Sequence, residues 1–152
     1  MSNSDQAIDL FKQGYNCAQS VFLVYSKNYH INPKEGFNLT SAFGGGMARM
    51  QEICGAISGG TMVLGLAISN YEEDLATNKE RVYHIINLFI QEFKEKFGST
   101  KCSELLNCNL NTLEGQMFYD ENNLQQKICY NCIIETINTV DRFILKYGIK
   151  PE

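Results

Sequence analysis

The sequence predicts an all-α fold, a helical bundle of about five to six helices with one glycine-rich central helix. Three observations predict it. Apolar residues recur at helical spacing along most of the chain, with no period-two run for a strand and no internal repeat. Proline occurs twice, at Pro33 and Pro151, so little interrupts helix between them. Hydrophobic residues make up 44% and charged residues 20% of the 152 positions, enough to bury a core in a chain the length of one domain, 1–152.

Ser4 is placed to cap a first helix whose stripe is Ala7, Leu10 and Phe11, and Gly14 ends it. Asn16 caps a second, with Gln19 three residues later and Ala18, Val21, Phe22 and Tyr25 on one face. Residues 30–38 read as a connector, and Phe43-Gly44-Gly45-Gly46-Met47 as a turned loop leading into an uncharged helix from about Ile53 to Ser69. The strongest pattern spans Leu75 to Phe97, where Val82, Ile85, Ile86, Phe89, Ile90 and Phe93 keep a 3.6 period until Gly98. Ser99 or Thr100 caps a short helix to Asn107, and 109–123 is too polar to assign. A last helix from about Leu124 to Tyr147 carries Ile133, Ile137, Val140, Phe143 and Ile144.

Charge excludes one class. The formal net charge is −4, from 13 Lys+Arg against 17 Asp+Glu, and no basic run stands out, so no nucleic-acid partner is expected. The N-terminus lacks a basic n-region and an apolar h-region, which argues against a secretory signal. The stretch from Ile53 to Tyr71 is uncharged but carries too much Gly, Ser, Thr and Asn for insertion, so no membrane span is expected. The expected location is cytoplasmic, where structural disulfides are rare. Six cysteines in such a setting point to redox chemistry, metal ligation or burial as small apolar residues.

Their placement is more informative than their number. Cys17 follows the Asn16 cap and Cys102 follows Ser99-Thr100-Lys101, so both fall in first turns, where backbone N–H groups and the helix dipole favour a thiolate. Cys54 heads the uncharged helix. Cys129 and Cys132 are spaced i, i+3 and continue the stripe of Ile133 and Ile137, so each alone reads as core. Gly55/Gly59 and Ala56/Gly60 form two small-residue tracks, which suit close packing against a neighbouring helix, in the core or across a homodimer interface. His30 and His84 are isolated, and Gly44-Gly45-Gly46 lacks the Lys-Ser/Thr ending of a phosphate loop.

Gly14-Tyr-Asn-Cys17-Ala, Phe43-Gly-Gly-Gly-Met, Cys54-Gly-Ala-Ile-Ser-Gly59, Cys102 and Cys129 together resemble the C_GCAxxG_C_C family, whose label is redox activity. The likeness covers nearly the whole chain and keeps the motif order. It implies a small, mainly helical prokaryotic protein with four characteristic cysteines, here Cys17, Cys54, Cys102 and Cys129. Cys132 is the alternative for the fourth place, and Cys108 and Cys132 otherwise look like additions that pack. The chain has no Cys-x-x-Cys-His, so covalent haem does not carry over.

Three functions follow from these residues. In thiol–disulfide or electron-transfer work, an oxidoreductase reading, Cys54 pairs reversibly with Cys17 or Cys102, Cys129 completes a second pair, and a redox partner is implied. Alternatively, Cys17, Cys54, Cys102 and Cys129 are ligands of Zn²⁺ or an iron–sulfur cluster. In the third reading the chain is a non-enzymatic helical binding or dimerisation module with core cysteines.

Overall fold

The computed structural model describes residues 1–149; the last three residues of the expected 1–152 domain, including Pro151, lie outside it. Among the described residues the chain is helical, without a strand, and one isolated antiparallel bridge joins Ile53 to Lys101.

Eight α-helices form among the described residues, more than the five to six expected. Helix α1 (Asn3–Lys12) is capped by Ser2 in a capping box with Asp5, two residues earlier than the Ser4 cap the sequence suggested. Helix α2 (Cys17–Tyr25) begins as expected, with Asn16 and Gln19 exchanging side-chain and backbone hydrogen bonds, and runs into a 3₁₀ turn, Ser26–Tyr29. Helix α3 (Pro33–Thr40) occupies the supposed connector, because Asn32 caps it and Pro33 starts its first turn. The glycine-rich helix α4 (Gly55–Ile68) has Cys54 at its N-cap. Helix α5 (Leu75–Phe97) has the predicted bounds, with Asp74 accepting from the Thr77 N–H and Gly98 in the left-handed conformation. Helix α6 (Cys102–Leu106) is one turn, with Lys101, not Ser99 or Thr100, at the N-cap position. Helix α7 (Leu113–Glu121) lies in the unassigned polar stretch, capped by Thr112. The last helical run opens with a π-helical turn, Gln125–Cys129, before α8 (Tyr130–Tyr147).

Helix α4 is central, packed against α2, α5 and α8. Its small residues explain how closely. A Cβ on Gly59 would lie 2.6 Å from the Ala18 carbonyl of α2, and one on Gly60 would lie 2.8 Å from both Phe89 of α5 and Thr136 of α8. Glycine inside a helix costs about 1 kcal/mol relative to alanine, and here that cost is offset by the close approach of the α2 backbone at Gly59 and of α5 and α8 side chains at Gly60. The tracks therefore serve packing within the core. Around them Val21, Tyr25, Ile57, Leu64, Phe89, Ile133, Ile137 and Val140 form one continuous apolar cluster. No helix of the described residues is long and apolar enough to cross a membrane.

Candidate functional site

At the head of α4 the chain leaves a cavity of about 680 Å³. Five of the six cysteines line it: Cys17, Cys54, Cys102, Cys129 and Cys132. All six are free thiols. The fold thus gathers Cys17, Cys54, Cys102 and Cys129 from four separate segments and adds Cys132; Cys108 is not among the lining residues.

Backbone geometry sets each sulfur. Cys17 stands at the first turn of α2, and its Sγ fills the space a Cβ on Gly55 would occupy. Glycine in the Cys54-Gly55-Ala56 motif therefore makes room for another cysteine. Cys54 and Cys102 are joined through main-chain bonds across the Ile53–Lys101 bridge: Cys54 N–H donates to Thr100 C=O at 2.8 Å, and Cys102 N–H donates to Glu52 C=O at 2.7 Å.

The glycine loop is a left-handed turn. Gly45, Gly46, Met47, Ala48, Arg49 and Gln51 all have φ between 51° and 69°. Left-handed backbone costs roughly 1–2 kcal/mol per non-glycine residue, so the turn must be held from outside. Gly44 packs against the Asn16 side chain, where a Cβ would lie 2.5 Å away. The Gln51 side chain, buried, donates to Cys108 C=O at 2.8 Å and accepts from Leu110 N–H at 2.9 Å. Asn111 donates to Arg49 C=O at 2.6 Å. The turn presents the Gly45 N–H to the Cys17 sulfur.

Each of the four sulfurs meets a hydrogen-bond donor. Gly45 and Ala18 N–H groups face Cys17, and those of Ala56 and Ile57 face Cys54. The Gln51 side chain faces Cys102. The Tyr119 hydroxyl lies 3.6 Å from the Cys129 sulfur. The Cys54 thiol has the Cys132 thiol as a neighbour.

These donors do not make the thiols acidic, contrary to the expectation from their helix-start positions. Burial, then the neighbouring Cys54 charge, pushes the Cys17 thiol up to about 11. Burial followed by Cys54, Cys17 and Cys129 pushes Cys102 up to about 12. Burial is again the largest cause for Cys129, also pushed up to about 12. The neighbouring Cys132 thiol, followed by burial, raises Cys54 well above the usual thiol range. Tyr119 is raised by burial and then by the charge of Cys129. Desolvation and mutual repulsion exceed what a few N–H dipoles return.

Cys132, Gln51 and Tyr119 are site residues that the sequence reading missed or set aside. Cys132 had a visible signal, its i, i+3 spacing from Cys129, outweighed by its place on the core stripe. Gln51 and Tyr119 are ordinary polar residues far in sequence from the sulfurs they meet, and no local pattern marks them.

Residues 15–143 match a family described as "Putative redox-active protein (C_GCAxxG_C_C)". No curated protein and no solved structure matches the chain.

Proposed function

Because the chain belongs to the C_GCAxxG_C_C family, we propose that it is a redox protein working through the thiols of Cys17, Cys54, Cys102 and Cys129, with Cys54 the central thiol. The observation that carries this reading is the single cavity lined by those four cysteines and Cys132. The substrate class is a disulfide: two protein thiols become one disulfide, and the substrate disulfide takes two electrons and two protons to become two thiols.

The raised thiol pKa values support a direction. A site that stabilises thiolates favours its reduced form and is oxidising; one that keeps thiols neutral lacks that stabilisation and is reducing. In this reading the protein is an electron donor, its neutral thiols favouring the disulfide once a substrate accepts the electrons. The reading assumes a cytoplasmic setting, whose thiol systems return the disulfide to its reduced form. Equilibration in dithiothreitol redox buffers, followed by free-thiol counting, tests it. Reversible loss of thiols in pairs is expected; an unchanged thiol count across the titration overturns it.

A second reading, a cysteine-ligated metal or iron–sulfur centre, draws support from the donors facing all four sulfurs, a pattern that tunes metal-bound thiolates. Among the described residues, however, no group of three or more His, Cys, Asp or Glu side chains is arranged to hold a metal ion. The described residues as they stand do not fit one. Metal analysis and visible absorption of anaerobically purified protein separate the two readings. Stoichiometric zinc or iron bound through these cysteines favours the second.

A further inference from the structure

We propose that Cys132 is the resolving thiol of this site and closes the disulfide with Cys54. The proposal rests on the thiol–disulfide reading above and names the pair that carries it.

Helix register brings the two residues together. Helices α4 and α8 run side by side in the same direction. Gly60 of α4 faces Thr136 and Val140 of α8, where an added Cβ would lie 2.8 and 3.2 Å from their methyl groups. Towards the far end, the Ile149 N–H just beyond α8 donates to the Ala67 carbonyl of α4 at 2.9 Å. Followed back towards the N-termini, the same register sets Cys54, at the cap of α4, level with Cys132 in the first turn of α8. Both are buried, 9% and 2% exposed, and both line the cavity. The two thiols are neighbours across the packing of α4 against α8.

The other thiols have different neighbours. Cys129 precedes Cys132 by three residues, but it ends the π-helical turn and its sulfur meets Tyr119. Cys17 is seated against Gly55, and Cys102 faces Gln51.

The exchange proceeds in two displacements with a small organic disulfide, R–S–S–R. The Cys54 thiol gives its proton to water, and the thiolate attacks one substrate sulfur. The Cys54–S–S–R bond forms, the substrate S–S bond breaks, and the first RS⁻ leaves and takes up a proton. The Cys132 thiol is then deprotonated and attacks the Cys54 sulfur. The Cys54–Cys132 disulfide forms, the mixed disulfide breaks, and the second RS⁻ leaves as RSH. Two electrons pass from the two cysteines to the substrate disulfide.

The test uses 2-hydroxyethyl disulfide, small enough for the cavity, on the full chain, followed by non-reducing peptide mapping. The expected product in the unmodified protein is a Cys54–Cys132 linked peptide that dithiothreitol reverses. In C132A that link is lost and a hydroxyethylthio adduct remains on Cys54. Linkage of Cys54 to Cys17, Cys102 or Cys129 in the unmodified protein overturns the assignment of Cys132 and leaves the thiol–disulfide reading standing. Absence of both linkage and adduct overturns the two together. Should C132A not fold, the linkage map of the unmodified protein decides.

Discussion

The sulfur of Cys17 occupies the place that a Cβ on Gly55 would take. The cysteine of the Asn16-Cys17-Ala18 segment is thereby seated on the glycine of Cys54-Gly55-Ala56, across the packing of α2 against α4. The Phe43 carbonyl also borders this space, 2.8 Å from that position.

Gly55→Ala is therefore expected to destabilise the protein by about 1–3 kcal/mol, the usual cost of overpacking a filled site. Adding Cys17→Ala removes the sulfur but not the Phe43 carbonyl, so the double variant should recover part of the loss. Urea denaturation of the two single variants and the double measures this. Fully additive losses would show that the sulfur is not what requires glycine.

The left-handed turn makes a sharper comparison between adjacent residues. An added Cβ on Gly45 would meet the flexible Arg49 side chain at 2.8 Å, whereas one on Gly46 would meet the Gln51 and Glu52 backbone at 2.7–2.8 Å. Both have positive φ, so Gly45→Ala should cost roughly 1–2 kcal/mol from handedness alone. Gly46→Ala should cost clearly more, because backbone must move. Thermal melts of the two variants decide it, and equal melting temperatures contradict the turn as described.

Thiol ionisation gives the pH dependence. Burial, followed by the neighbouring Cys54, pushes the Cys17 thiol from an ordinary 9.0 up to about 11 in the fold. Below about pH 9 both folded and unfolded chains keep this proton, and the contribution of the neutral thiol to folding is fully present. Between pH 9 and 11 the unfolded chain loses the proton first, so stability falls as pH rises, by about 2 kcal/mol for this residue. Urea midpoints between pH 8 and 11 should decline, and Cys17→Ala should flatten part of the decline. The same protonation predicts that iodoacetamide labelling of Cys17 in the native protein rises about tenfold per pH unit, without levelling off near pH 9.

Gln51 joins the turn to the segment after α6 through two hydrogen bonds and faces Cys102. Replacing it with Ala leaves the Cys108 carbonyl and the Leu110 N–H without this partner and should cost about 1–3 kcal/mol. Gln51→Glu keeps an acceptor for Leu110 but brings a negative charge towards Cys102. That variant should slow alkylation of Cys102 at fixed pH, while Gln51→Asn should not add a charge effect. Rates of Cys102 labelling that ignore the charge would separate Gln51 from this thiol.

How much of this was legible follows from where each signal resides. Helix α5 was readable at both ends because Asp74, an unbroken apolar period and Gly98 all lie within its own residues. Helix α3 carried a signal in Asn32-Pro33 that its weak apolar content obscured. Helix α7 depends on the Thr112 cap inside a polar stretch. The glycine triplet announced a turn, but the positive φ of Met47, Ala48, Arg49 and Gln51 opposes their local preference and is imposed by distant contacts. At the site, the cysteines were visible individually. That Cys54 and Cys132 lie together depends on the register of two helices far apart in sequence, and the donors Gln51 and Tyr119 carry no local mark.

The Ile53–Lys101 bridge bears on how such a site can change. Cys54 and Cys102 are tied by bonds between peptide groups, and those bonds do not involve sulfur. The address of each side chain is therefore written in the main chain, separately from the chemistry found there. Either cysteine can be exchanged for another residue while the scaffold that aligns its neighbour persists. Descendants of one fold can thus trade one reactive group for another without having to rebuild the chamber that holds it.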